Sequence, residues 1–190
     1  MKGTNVTTGY YKREDKTAEA FDEEGWFCSG DVGEIYPNGS LRIIDRAKNI
    51  FKLSQGEYIA PEKLENIFIN LPLVGQIMVC GDSLQDCIVG VVPIDEVECK
   101  KWAAANGKND DIAELCRDPD LKKAILDSMI EIAKVKKLTG LEKPKDLFLT
   151  TEAFSIENNI LTPTFKLKRN VARQIYDAQV KEMYANMKAK

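Results

Sequence analysis

PEKLENIFINLPLVGQIMVCGDSLQDCIVGVVPI, residues 61–94, is the stretch on which the fold turns. Pro61 is preset for the first turn of a helix, where its missing N–H would have had no partner, and Glu62 and Glu65 sit near the positive end of that helix. These signals predict a helix over 61–70. The runs 76–80 and 87–94 are short and apolar, with Gly81-Asp82-Ser83 between them, and read as two strands. Beyond them the apolar spacing turns helical, over 95–102 and 120–137. In the second of these, Leu121, Ala124, Ile125, Met129, Ile132 and Val135 keep near one face.

Upstream, a short helical signal over 14–21 leads into a turn at Gly25-Trp26-Phe27. The β-rich runs 32–36 and 41–45 then flank Pro37-Asn38-Gly39-Ser40, and Asn-Gly between such runs is a strong hairpin signal. Downstream, 147–149 reads as a strand following Pro144, and 169–187 as a final helix with Val171, Ile175, Val180 and Met183 on its packing face. The order predicts an α+β fold with helices packed on a short sheet. That architecture hosts many functions and decides none. One boundary is expected, near Lys48, where the hairpin ends.

Composition narrows the chemistry. With 190 residues, 44% hydrophobic content and a net charge of −3, the chain reads as globular. Extended hydrophobic runs such as 67–79 are broken by Asn70, Pro72 and Gly75, and no stretch approaches the roughly 20 apolar residues a membrane span needs. The N-terminus lacks the apolar core of a secretory signal, which predicts a cytosolic location or a cytosol-facing surface. The five cysteines Cys28, Cys80, Cys87, Cys99 and Cys116 have no C-x-x-C spacing and are expected to be reduced core thiols rather than disulfides or metal ligands. No histidine is present, which removes Ser-His-Asp and Cys-His nucleophilic catalysis. Chemistry must run on Lys, Arg, Asp, Glu and backbone groups, and no metal site is expected within the chain. From Lys166 to Lys190, seven basic residues face only Asp177 and Glu182. Such a tail suits an anionic partner or is simply a solvated basic helix.

Three clusters carry candidate chemistry. In GWFCSGDVG (25–33), Asp31 lies between glycines at a strand start, where a carboxylate can accept hydrogen bonds from a vicinal diol such as a ribose. A glycine-flanked turn capped by Asp would look the same. In IIDRAKNIFK (43–52), Arg46, Lys48 and Lys52 place cations on one short segment. The LSQGEYIAP run (53–61) behind them lets the backbone approach a ligand at Gly56; a surface strand with alternating lysines is the alternative. In LTPTFKLKR (161–169), a Thr-Pro-Thr turn presents Lys166, whose ammonium could reach a phosphate as a point charge. Alone, that loop would also serve as an ordinary helix entry.

Taken in this order, the clusters resemble the core motifs of the adenylate-forming enzymes: acyl-CoA synthetases, non-ribosomal peptide adenylation domains and luciferases. Residues 25–33 resemble the aromatic-x-[ST]-Gly-Asp motif, 43–65 the hinge and the glycine-loop motif after it, and 162–169 the catalytic-lysine motif. GYYK (9–12) and KTAEAF (16–21) resemble the segment preceding them, so the resemblance runs over nearly the whole chain. FKLSQGEYIAPEKLEN (51–66) and LTPTFKLKR (161–169) are similar to long-chain fatty acid:CoA ligases of the eukaryotic type. Many members of the superfamily have Gly before the lysine; Phe165 stands there here and resembles the long-chain subgroup. The phosphate loop, and the motifs that hold adenine, magnesium and the acyl chain, do not occur in the chain.

The resemblance implies a fragment: 1–47 as a β-rich remnant of a large N-terminal ATP- and acyl-binding domain, and 48–190 as a small mobile C-terminal domain with a short sheet and packed helices. It implies that the full-length enzyme makes an acyl-adenylate from fatty acid and ATP and passes the acyl group to CoA, with Mg2+ bound in the missing domain. Asp31 and Arg46 would hold the ribose, Lys166 would neutralise charge during adenylation, and Lys48 would be the hinge. After the swing, Lys52, Gly56, Glu57 and Tyr58 would line the route of the CoA arm. Its partners are then long-chain fatty acid, ATP and CoA and no nucleic acid, with peripheral membrane association compatible, at the endoplasmic reticulum or peroxisome for example. Two alternatives stay open: another acyl- or aryl-CoA ligase of the superfamily, and a non-catalytic binding domain that kept the fold.

Overall fold

The computed structural model describes residues 1–188. Lys190, counted in the basic tail, lies outside the described residues. The chain divides into two compact units, Met1–Lys48 and Asn49–Lys190.

In the first unit, helix α1 (Glu14–Ala20) precedes strands β1 (Asp31–Ile35) and β2 (Leu41–Arg46). The strands pair antiparallel, with Asp31 opposite Arg46, Ile35 opposite Leu41 and a bulge between Val32 and Gly33. The Asn-Gly signal is the turn. Gly39 adopts φ +81°, the left-handed region it enters without a Cβ penalty, and its N–H donates to the Tyr36 carbonyl at 2.8 Å. Phe21 and Phe27 meet edge to face, 5.4 Å between centroids.

The second unit is built on a three-stranded sheet, β5 (Met78–Cys80), β6 (Val89–Pro93) and β7 (Leu147–Thr150), in that order. β6 pairs antiparallel with β5 and parallel with β7. A parallel neighbour needs a crossover, and α3 (Glu96–Ala105), α4 (Ile112–Leu115) and α5 (Pro119–Val135) lie within it. The alternation of side chains along each strand then sorts the core in two. Val79, Val92, Leu147 and Leu149 face a cluster that includes Leu64 and Phe68 of α2 (Pro61–Phe68) and Leu121 and Ile125 of α5. Met78, Cys80, Val89, Val91 and Phe148 face the other, with Ala172 of α6 (Arg169–Ile175) and Val180, Met183 and Tyr184 of α7 (Asp177–Lys188). The fold is mixed α/β, with helices on both faces of one short sheet. A separate two-stranded hairpin pairs β3 (Phe51–Lys52) with β4 (Tyr58–Ile59).

The structure corrects the sequence reading at several points. α2 stops at Phe68 rather than Asn70; Pro72 disfavours helical backbone just before it, and the Asn70 side-chain amide donates to the Asn66 carbonyl at 2.7 Å at the helix end. Val135 is 77% exposed, while Ala133, absent from the expected stripe, is buried. Burial steps by four from Leu121 through Ile125 and Met129 to Ala133. Each such step overshoots a full turn by about 40°, so the stripe has drifted away from Val135 by the last turn. The final helix is two helices, broken at Tyr176, whose ring packs 6.1 Å from Phe148 and 6.0 Å from Phe154. Ala172 and Tyr176 take the inward positions there, which leaves Ile175 half-exposed. Cys28 is exposed, not a core thiol, whereas Cys80 and Cys99 are buried.

Burial pushes the Cys80 thiol up to about 11 and the Cys99 thiol up to about 12, from an ordinary 9.0. Because the folded values are raised, the stability they contribute is complete below pH 9 and is lost as pH rises through the folded values. The urea midpoint of the chain is therefore expected to hold up to about pH 9 and to fall above it, with Cys99→Ala shallowing the fall. A midpoint that stays level from pH 8.5 to about 11 would contradict this assignment.

Candidate functional site

Lys166 sits at the end of a closed turn. The Thr162 N–H donates to the Lys166 carbonyl at 2.8 Å, and the Phe165 N–H donates to the Thr162 carbonyl at 2.9 Å. The Thr162 hydroxyl accepts the Lys166 N–H at 3.0 Å and lies 3.0 Å from the Thr164 hydroxyl. Thr162 thus satisfies the turn from both its backbone and its side chain, and a Leu161–Leu167 bridge closes the base. Leu161 is buried, so the turn is rooted in the core while Lys166 is exposed. No ion pair engages the Lys166 ammonium among the described residues. What projects is a single cation on a short, internally bonded turn.

The root of that turn is held by a pair the sequence reading did not single out. The Arg169 guanidinium donates to both oxygens of Glu65, at 2.8 and 2.5 Å. Both side chains are largely buried, 18% and 12% exposed. Glu65 Oε1 also accepts the Val79 N–H at 2.7 Å. One carboxylate therefore ties α2, the middle of β5 and the first residue of α6 together, and α6 begins three residues after Lys166. The two-pronged geometry is one that Arg supplies and Lys does not. Nearby, the Lys168 ammonium donates to Asn159 Oδ1 at 2.5 Å and the Lys168 N–H to the Ile160 carbonyl at 2.8 Å. Glu65 lies beside Leu64, on a helix whose neighbouring residues face the core. A carboxylate so placed needs a cation, and that was the available signal.

Four other candidates lie on the 51–59 hairpin. Lys52 is opposite Tyr58, and its ammonium stands 5.6 Å from the centre of the Tyr58 ring, within cation–π range. Gly56 has φ +97° and donates its N–H to the Leu53 carbonyl at 2.9 Å, so a side chain there would strain the turn. Leu53 and Ile59 are buried on one side of the hairpin, whereas Tyr58 is 70% exposed; Lys52 and Glu57 are exposed as well. The loop is fastened to 85–86: the Ser54 N–H donates to the Gln85 carbonyl at 2.9 Å, and the Gln55 side-chain amide to the Asp86 carbonyl at 2.7 Å. Lys52, Gly56, Glu57 and Tyr58 are thus gathered on one anchored hairpin.

In the first unit, the register of β1 and β2 brings Asp31 and Arg46 side by side, with Arg46 Nε 2.8 Å from Asp31 Oδ1. Arg46 Nη1 also reaches the Ser29 carbonyl at 3.4 Å. Asp45, the residue before, is buried at 2% exposure and accepts the Arg46 N–H at 2.6 Å. Lys48, the last residue of this unit, is exposed.

No family model matches the chain. It is 46% identical over 188 residues to long-chain-fatty-acid–CoA ligase 1 of Cavia porcellus, covering 99% of this chain and 27% of the relative. It is 43% identical to fatty acyl-CoA synthetase B of Dictyostelium discoideum over 98% of this chain and 28% of that protein. With the peroxisomal long chain acyl-CoA synthetase 6 of Arabidopsis thaliana it shares 45% identity over 100% of its length and 27% of the relative. The chain therefore spans about a quarter of the length of these relatives. Among solved structures, it is similar to the adenylation and carrier didomain of a carboxylic acid reductase from Segniliparus rugosus in complex with AMP. The TM-score is 0.83 at 35% identity, covering 99% of this chain and 24% of that one. The Bacillus subtilis O-succinylbenzoate CoA synthetase in complex with AMP shares the fold, with a TM-score of 0.59 at 22% identity over 89% of this chain and 28% of that one. No helix among the described residues is long and apolar enough to cross a membrane.

Glu65→Ala or Arg169→Ala is expected to cost about 3–5 kcal/mol in urea unfolding of the chain, because either strands a buried charge. The double variant Glu65→Gln/Arg169→Met removes both charges and keeps an acceptor for the Val79 N–H, and should lose markedly less than the sum of the two alanine variants. Single losses below about 1 kcal/mol, the scale of an exposed pair, would show that this pair holds nothing.

Proposed function

We propose, from the homology of this chain to one part of the long-chain fatty-acid–CoA ligases of the adenylate-forming superfamily, that it is the catalytic-lysine and CoA-facing portion of such a ligase. The observation that carries the reading is the Lys166 turn: an exposed ammonium that no ion pair engages among the described residues, on a turn bonded to itself and rooted in the core. A preorganised cation of this kind is worth most where negative charge develops, because it needs no reorganisation at the moment of reaction.

The proposed reaction has two halves. Fatty acid carboxylate attacks the α-phosphorus of ATP, giving acyl-adenylate and pyrophosphate, and the CoA thiol then displaces AMP to give the thioester. In the first half, Asp31 accepts hydrogen bonds from the ribose hydroxyls, Arg46 holds ribose or phosphate from the far side, and Lys166 neutralises charge spreading over carboxylate and phosphate. Residues 1–47 are the end of the large domain and 48–190 the small mobile domain. Rotation about Lys48 then withdraws Lys166 and brings in the 51–59 hairpin for the second half. There Gly56 leaves room for the pantetheine arm, and Glu57, Tyr58 and Lys52 line its route. Magnesium would be held outside this chain. The carboxylic acid reductase likeness favours a second reading, an adenylation domain serving another acyl acceptor, but the 46% identity to fatty-acid ligases favours CoA.

The chain by itself is expected to form no acyl-CoA, since proximity effects require every reactant on one scaffold. In the intact ligase, Lys166→Ala should lower fatty-acid-dependent ATP–pyrophosphate exchange by about two to three orders of magnitude, the loss for one preorganised donor. Thioester formation from pre-made acyl-adenylate should hardly change. Lys48→Pro should do the reverse, fixing φ where rotation is needed. Equal losses in both halves for Lys166→Ala would remove the domain-swing assignment.

A further inference from the structure

Phe165 is held in a way its own unit does not account for. Its backbone is left-handed, with φ +57°, where an L-residue's Cβ crowds the following carbonyl. The Phe165 N–H to Thr162 carbonyl bond and the Thr162 N–H to Lys166 carbonyl bond close the turn around this residue, and glycine would adopt its backbone without penalty. A phenylalanine there adds a second cost, because the residue is 75% exposed and its ring gains little packing. Strain and exposure at one residue beside a candidate reactive group point to a contact made elsewhere. The relatives are nearly four times as long as this chain, so most of the large domain of the proposed enzyme lies beyond it.

We propose that Phe165 is a positioning residue: its ring inserts into an apolar socket on the larger part of the ligase and so holds the Lys166 ammonium on the reacting oxygens. The two residues are adjacent on one internally bonded turn, so ring and ammonium arrive together. Burial of the ring offsets the strain only in the adenylation pose, which ties turn seating to that half-reaction. This proposal rests on the adenylation role of Lys166.

The test uses the intact ligase with Phe165→Gly, Phe165→Ala and Phe165→Leu, and with Lys166→Ala as reference. Phe165→Gly should melt no lower than the parent and no lower than Phe165→Ala, since glycine alone escapes the left-handed penalty. Yet Phe165→Gly should reduce the kcat of ATP–pyrophosphate exchange by roughly ten- to a hundredfold, the scale of ångström-level misplacement. KM for ATP and thioester formation from pre-made acyl-adenylate should stay at parent values, and Phe165→Leu should recover most of the exchange rate. If Lys166→Ala is crippled while Phe165→Gly exchanges within about twofold of the parent, the socket is wrong and the role of Lys166 stands. Equal loss in both half-reactions for Phe165→Gly also overturns the socket. If both variants exchange like the parent, the adenylation reading falls and the socket with it.

Discussion

A largely buried carboxylate must be paired, and Glu65 meets that constraint in a way that organises the second unit. Its two oxygens are shared among the Arg169 guanidinium and the Val79 N–H, so a helix on one face of the sheet, the strand itself and a helix that packs on the other face are tied at one point. Hydrophobic burial is non-directional, whereas a paired carboxylate fixes named atoms against one another. The two core clusters supply the burial; a two-pronged charge pair with a third backbone bond adds a directional constraint. Because α6 starts at Arg169, the pair also fixes the base of the turn that carries Lys166. Arg173, one turn further along α6, reaches Asp82 at 3.2 Å, beyond the end of β5, and adds a weaker tie of the same kind.

The sheet explains why so small a unit can hold two candidate surfaces. With both faces covered, each strand is apolar on both sides, as a buried strand must be. The chain leaves this sheet only at its ends and loops, and the candidate groups sit on such segments: the 51–59 hairpin, fastened to 85–86, and the 162–166 turn, rooted at Leu161. Both are anchored at the base and exposed at the tip. That combination positions a side chain while leaving it available to a ligand.

Much of this was legible in the sequence. Asn38-Gly39 marked the hairpin, Pro61 the start of α2, and the apolar runs around Gly81 the paired strands. Those signals are local, and local signals survive in any tertiary context. What was missed is non-local. Nothing near Tyr176 marks the break between α6 and α7, since neither Gly nor Pro is present; its ring is placed by Phe148 and Phe154, more than twenty residues upstream. The parallel pairing of β6 with β7 spans the whole run from α3 to α5 and has no local signature. The Glu65–Arg169 pair joins residues 104 apart. For the site, Thr162-Pro163-Thr164 announced a turn. The left-handed conformation of Phe165 was not readable, because an aromatic residue is a poor marker for it.

Native-state amide exchange read residue by residue tests the central claim most directly, that the Glu65–Arg169 pair fixes the Lys166 turn to the core. In the parent chain, the bonded amides of Thr162, Phe165 and Lys168 should be protected together with that of Val79. In Arg169→Met, the account predicts that these amides lose protection, while those of Val91 and Val92 in the middle of β6 keep more of theirs. Turn amides whose protection is unchanged in Arg169→Met, or falls only in step with β6, would contradict it.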